Sequence, residues 1–140
     1  MLVRDIMTQN PETIRPDDSL QSALGVMLRF DIRELPVVEN DRLIGIITDR
    51  DIKMQLGPGA GTVDESLLTE ESLNIEVSEI MTSEPESISP NTGLSSACRI
   101  LVEFRIGALP VVEPETSRLV GILSVTDCLS RAASLFEELE

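Results

Sequence analysis

Residues 30–51 read FDIRELPVVENDRLIGIITDRD, and residues 104–127 read FRIGALPVVEPETSRLVGILSVTD. Each stretch holds two apolar runs of strand length, one behind Leu-Pro and one behind Arg-Leu, separated by a short polar turn. That is the signature of a β-hairpin. The turn is Asn40-Asp41 in the first copy, and the second copy is longer by two residues around Pro114. Pro36 has no backbone N–H to give to a ladder, so its strand belongs at a sheet edge or begins there. Each hairpin runs into a hydroxyl residue three positions ahead of an Asp: Thr48 with Asp51, and Ser124 with Asp127. A Ser or Thr followed three residues later by an acid is a capping-box pattern, so a helix starts at each.

The likeness extends outward from these stretches. Residues 3–39 align with residues 77–113 without a gap, and roughly half the positions are identical, which marks a repeat architecture. VRDIMTQNPETIRP lies over VSEIMTSEPESISP. Ile14 and Ile88 fall in short extended pieces ended by Pro16 and Pro90. A helix follows in each copy. Leu20, Ala23, Leu24, Met27 and Leu28 form one apolar stripe, and Leu94, Ala97, Cys98, Leu101 and Val102 form its counterpart. Asp17 or Asp18 is expected to cap the first of these helices and Thr92 the second. The repeat is therefore β-α-β-β-α, occurring twice. A three-stranded unit of this size leaves one sheet face uncovered, so two copies are expected to pack sheet to sheet with pseudo-twofold symmetry in an α+β fold. The expected divisions are 1–56 for the first repeat, 57–76 for a linker or insertion, and 77–140 for the second. Within the linker, GPGAG reads as a turn and DESLLTEESL is compatible with a short helix. Residues 134–140 extend the last helix with three Glu.

Composition narrows the function. The chain has 140 residues, a formal net charge of −14, no His, no Trp, no Tyr and three Phe. This charge repels nucleic acid, and the aromatic platforms used to stack bases are nearly absent. The cations are ten Arg and one Lys. Arg is the residue of forked phosphate and carboxylate recognition, which fits a small anionic ligand. No stretch reaches the length of a membrane span and the N-terminus lacks a signal-peptide core, so a cytoplasmic protein is expected. Without His, His-based catalysis and His metal sites are excluded. Asp49 and Asp51 sit two apart on a helix and point to different faces, a poor arrangement for paired carboxylate catalysis. No catalytic or metal residue is assigned, and no cofactor is required. Cys98 lies over Leu24 and Cys128 over Ile52, so both cysteines are expected to be buried and inert.

DIMT, LPVV and the Gly-x-x-[ST]-x-x-Asp pattern, occurring twice at these spacings, resemble the CBS domain, and the pair resembles a Bateman module. The resemblance covers nearly the whole chain apart from linker and tail. It implies a regulatory module, not an enzyme, that binds an adenosine-containing ligand such as AMP, ADP, ATP or S-adenosylmethionine. It also implies a homodimer and a separate effector protein. Asp51 and Asp127 are implied as ribose residues, with Thr48 and Ser124 supporting ribose or phosphate. Family sites draw on both repeats: one would join Thr82, Ile106 and Gly107 with Thr48 and Asp51, and the other Thr8, Ile32 and Arg33 with Ser124 and Asp127. A nucleotide bridging the repeats would favour one arrangement of them.

The motifs differ in charge. Asp49 and Arg50 of the first become Val125 and Thr126 in the second, and Arg33 becomes Gly107. Phosphate affinity is therefore expected at Thr48/Asp51, with Arg50 inside the motif and Arg33 in reach, and a weaker site at Ser124/Asp127. The alternatives are a module that responds to divalent cations, favoured by the acidic charge, and a purely protein-interaction module with inactive sites.

Overall fold

The structure is a computed structural model that describes residues 1–56 and 74–140. The turn and short helix expected in the linker lie outside the described residues. A 3-10 turn at Val3–Asp5 opens the chain. The elements are then β1 (Thr8–Gln9), α1 (Leu20–Phe30), β2 (Glu34–Glu39), β3 (Arg42–Thr48), α2 (Asp49–Leu56), α3 (Val77–Ile80), β4 (Thr82–Ser83), α4 (Leu94–Phe104), β5 (Ala108–Val112), β6 (Leu119–Ser124) and α5 (Val125–Leu139). The class is α+β, with two three-stranded antiparallel sheets ordered β2-β3-β4 and β1-β6-β5.

These sheets belong to two compact units whose boundaries cut across the repeats. One unit is Glu12–Pro85, and the other is Met1–Pro11 with Glu86–Glu140. The opening segment of each repeat thus folds into the unit built on the other repeat's hairpin. β4 pairs with β3, with Thr82 opposite Ile46, and β1 pairs with β6, with Thr8 opposite Ile122. Ile14 and Ile88 make single parallel bridges to Val37 and Val111 of their own repeats. The extended piece expected at each Ile is therefore one bridge long, and the antiparallel third strand comes from the DIMT or EIMT segment instead.

In the unit Glu12–Pro85, β2 is an outer strand, as Pro36 requires. The hairpin turn places Asn40 at φ 52° and Asp41 at φ 65°, the left-handed region that Asn and Asp tolerate best. The core gathers Leu20, Leu24, Leu35, Val37, Ile47, Ile52 and Val77, all almost fully buried. Val77 enters this core because its N–H donates to Asp18 O at 2.8 Å while Leu20 N–H donates to Ile75 O at 2.9 Å. Burying one such side chain is worth about 1.5–3 kcal/mol.

The other unit repeats the pattern with Val3, Leu109, Val111 and Leu123 at its centre. Here Val3 N–H donates to Thr92 O and Leu94 N–H to Met1 O, both at 2.9 Å. Its hairpin loop is closed by Glu113 N–H to Arg118 O at 2.9 Å, which accommodates the extra residues after Pro114.

Two capping expectations are corrected. Ser19 caps α1, its hydroxyl accepting from Ser22 N, and Gly93 stands at the start of α4 with no side-chain cap. Asp18 and Thr92 are used one turn earlier: Asp18 Oδ2 accepts from Arg15 N at 2.9 Å, and Thr92 Oγ1 from Ser89 N at 3.2 Å. A short polar side chain satisfies whichever amide lies nearest, and here that amide belongs to the preceding turn. The cysteines are also half-buried, not buried.

Candidate functional site

Each unit brings its hairpin, its short third strand and a helix start together at one end of the sheet. In the unit Glu12–Pro85, β3 ends at Thr48 and α2 begins at Asp49. Thr48 N–H donates to Asp51 Oδ2 at 2.8 Å, and Asp51 N–H donates to Thr48 Oγ1 at 3.2 Å. Asp49 N–H donates to Arg33 O at 2.9 Å, which ties the residue ahead of β2 to the helix start. The capping box uses only one oxygen of Asp51. A carboxylate offers about four acceptor positions, so Asp51 can hold its cap and still accept from a ligand hydroxyl.

The unit with α5 has the same frame. Ser124 N–H donates to Asp127 Oδ2 at 2.9 Å, Asp127 N–H to Ser124 Oγ at 3.0 Å, and Val125 N–H to Gly107 O at 2.9 Å. Thr126 stands where Arg50 stands. Four charged positions differ between the frames, and all four changes remove charge from the second: Arg33, Glu34, Asp49 and Arg50 against Gly107, Ala108, Val125 and Thr126.

The residues implied by the sequence are distributed as follows. Ile32, Arg33, Thr48, Arg50, Asp51 and Thr82 lie in the unit Glu12–Pro85, and Thr8, Ile106, Gly107, Ser124 and Asp127 lie in the other. Thr82 joins the Thr48/Asp51 frame through β4, and Thr8 joins the Ser124/Asp127 frame through β1. Ile106 and Gly107 were grouped with Thr48, and Ile32 and Arg33 with Ser124; in each case these residues belong to different units. Arg33, Arg50, Thr8, Thr82 and Gly107 are exposed, while Thr48, Asp51, Ser124 and Asp127 are half-buried.

Two features were missed in the sequence. Glu34 sits opposite Thr48 in the β2–β3 register. Burial pushes its carboxyl above the ordinary range, the Asp49 carboxylate adds to that, and the Arg33 guanidinium opposes it. Asp49 is in turn 3.7 Å from Lys53 on the next turn of α2. The signal was the contrast of Glu34 with Ala108 directly ahead of LPVV. The second feature is the glycine of the motif. A Cβ on Gly45 would press on Met81 Sδ and lie 3.0 Å from Thr82 O; one on Gly121 would lie 2.6 Å from Met7 Sδ and 2.9 Å from Thr8 O. Only glycine lets the Met-Thr strand cross this close.

Among the described residues, no group of three or more His, Cys, Asp or Glu is placed to hold a metal ion. Among those residues too, no helix is long and apolar enough to cross a membrane.

Two hairpin-and-helix frames with a hydroxyl–carboxylate cap at each helix start define a tandem-repeat module of mixed helices and sheets. The family model described as CBS domain matches residues 3–57 and 77–134, and the chain belongs to that family. It is 32% identical over 125 residues to the CBS domain-containing protein YhcV of Bacillus subtilis, covering 89% of this chain and 81% of that protein. The crystal structure of CBSX2 in complex with AMP is similar at TM-score 0.79 and 27% identity, covering 96% of this chain and 97% of that one. The CBS domain pair of protein MJ0100 in complex with 5-methylthioadenosine and S-adenosyl-L-methionine is similar at TM-score 0.78 and 25% identity, covering 100% and 98%.

Proposed function

We propose that this chain is an adenine-nucleotide sensor that acts on a separate effector protein. The observation that carries this reading is the doubled cap. In both frames a strand delivers a hydroxyl to a helix start, and an Asp one turn in keeps an oxygen available for a ligand. A helix start presents amides and partial positive charge to phosphate, and a carboxylate there accepts from a ribose diol. The ligands named for CBSX2 and MJ0100 share an adenosine moiety, which agrees with a site that grips ribose.

Asp51 and Asp127 are the ribose acceptors, and Thr48 and Ser124 orient them. Thr82 and Thr8 supply polar groups from the third strands, and Ile32 and Ile106 supply apolar surface for adenine. Phosphate affinity resides with Thr48/Asp51, where Arg50 and Arg33 are exposed, and Gly107 and Thr126 stand at their positions in the other frame. The chain performs no chemistry on the nucleotide. Binding acts through population: a ligand that prefers one arrangement of the protein stabilises it, and the effector reads the result.

Self-association is part of this reading. Leu129, Phe136 and Leu139 of α5 are 63%, 60% and 84% exposed, a large apolar face for one helix. A second copy of the chain is its proposed occupant.

Titration calorimetry with AMP, ADP, ATP, NADH and S-adenosylmethionine tests the proposal. Saturable heat with at least one adenosine ligand is expected, and it should depend on Asp51. No heat and no change in melting temperature with any of them up to millimolar ligand would replace this reading with a protein-interaction module.

A further inference from the structure

Glu34 is a half-buried carboxyl that the nucleotide reading does not use. Its place follows from strand register. Leu35 pairs with Ile47 across β2 and β3, and both are fully buried in the core of their unit. Side chains alternate along a strand, so the next pair, Glu34 with Thr48, lies on the other face of the sheet. Pro36, Ile46 and Thr82 share that face, since Ile46 pairs with Pro36 on one side and with Thr82 on the other. The bond from Asp49 N–H to Arg33 O, 2.9 Å long, brackets the Glu34–Thr48 pair and makes it the non-hydrogen-bonded kind. In that kind the Cα atoms approach to about 4.5 Å and the side chains stand closest. The Glu34 carboxyl therefore stands beside Thr48, on the face that also carries Thr82. The second frame is an internal control. Val125 N–H donates to Gly107 O at 2.9 Å in the same way, yet the residue opposite Ser124 is Ala108. The frame is built without a carboxyl there, so Glu34 is not required to form it.

We propose that Glu34 sets the charge selectivity of the Thr48/Asp51 frame: it takes up a proton when a phosphate-bearing adenine nucleotide binds there, and takes up none when the ligand carries no phosphate. The inference rests on the nucleotide reading above. The groups around Glu34 come from three places. β3 brings Thr48, which carries no charge. α2 brings Asp49, which is 3.7 Å from Lys53, and Asp51, whose Oδ2 accepts from Thr48 N–H at 2.8 Å. Arg50 follows Asp49 on α2, and Arg33 precedes Glu34; both are exposed. An ionised Glu34 thus joins two other carboxylates at one helix start, and a phosphate bound there adds a further like charge. Burial and Asp49 already push the Glu34 carboxyl up, against the pull of Arg33. A bound phosphate pushes in the same direction, and a proton on Glu34 removes the repulsion. The protonated carboxyl also gains an O–H that can donate to a phosphate oxygen. A group that holds its proton more tightly in the complex makes binding tighter as pH falls. A change of about one pH unit in its titration gives about a tenfold gain in affinity.

Titration calorimetry of the full chain with AMP and with adenosine, at about pH 6 in two buffers of different ionisation enthalpy, reads the proton directly. The AMP phosphate itself titrates at about pH 6, so the decisive quantity is the difference between the wild type and Glu34→Gln. The wild type should take up more protons with AMP than the variant does, and the two should not differ with adenosine. Glu34→Gln should bind AMP up to about tenfold tighter at about pH 7.5. The two affinities should converge as pH falls toward 4.5, the ordinary value of the carboxyl. Glu34→Ala, which carries the residue of the second repeat, should follow Glu34→Gln in proton uptake. Equal proton uptake and equal AMP affinity in all three proteins would overturn the inference and leave the nucleotide reading standing. Weaker AMP binding in Glu34→Gln at about pH 7.5 would overturn it equally. An absence of heat with AMP overturns it as well, and the nucleotide reading falls with it when adenosine, ATP and S-adenosylmethionine also give none.

Discussion

Asp51→Ala and Asp127→Ala separate the capping role of these residues from their proposed ligand role. The two carboxylates sit in nearly the same local geometry: each accepts one backbone amide, at 2.8 and 2.9 Å, and each gives its own amide to the preceding hydroxyl, at 3.2 and 3.0 Å. Truncation therefore removes the same cap in both. The loss is about 1 kcal/mol each, with a fall in melting temperature of about 3 °C for a chain of this size. The ligand terms differ. Hydrogen bonds from a ribose diol to a charged acceptor are worth about 1.5–3 kcal/mol each, so losing both at Asp51 weakens binding by about a hundredfold or more. A nucleotide at a hundred times its dissociation constant stabilises the folded protein by about 2.7 kcal/mol, and after a hundredfold loss by about 0.4 kcal/mol. In differential scanning fluorimetry the nucleotide-induced shift should then drop from about 8 °C to about 1 °C in Asp51→Ala. Asp127→Ala should keep most of the shift, because Gly107 and Thr126 stand where the first frame has Arg33 and Arg50. Equal apparent caps with equal ligand losses would refute the asymmetry. An unchanged ligand shift in both variants would refute the ribose role itself.

Other perturbations test separate links. Gly45→Ala places a methyl against Met81 and 3.0 Å from Thr82 O; it should cost about 1–3 kcal/mol by urea unfolding, and adding Met81→Ala should restore only part, since the carbonyl contact remains. Glu34→Gln should raise the melting temperature near neutral pH. The folded carboxyl titrates above its ordinary 4.5, so the folded state holds the proton more tightly and stability falls as pH rises through the interval from that value to the raised one. The gain should vanish at about pH 4, below that interval, and a gain independent of pH would contradict the burial argument. Leu129→Glu should shift sedimentation toward the monomer without unfolding the chain, because Leu129 is 63% exposed in the single chain. An unaltered dimer would move the interface off α5.

Much of this was readable because it is local. The repeat, the apolar stripes of α1 and α4 as far as Met27 and Leu101, the Asn40-Asp41 turn and both capping boxes depend on residues a few positions apart, and a period of 3.6 or 2 records them directly. The last expected stripe members, Leu28 and Val102, are instead 55% and 77% exposed, because they lie at the edge of the face that each helix turns to its core. The caps of α1 and α4 were misread because several Asp, Ser and Thr residues competed for neighbouring amides, and only the backbone path decides which amide each one meets. Glu34 escaped notice because its raised proton affinity comes from burial and from Asp49, and the β2–β3 register brings both to it.

What the sequence determined by itself is the doubled β-α-β-β-α order, the pair of hydroxyl–carboxylate helix starts and the charge difference between them. These follow from side-chain types at short, fixed spacings. The tertiary structure decided which sheet each DIMT or EIMT segment completes. A two-residue strand such as Thr8–Gln9 or Thr82–Ser83 carries too little pattern to name its partner. Its place is set instead by Val3 and Val77 entering the opposite repeat's core, and by glycines that leave room for Met7 and Met81.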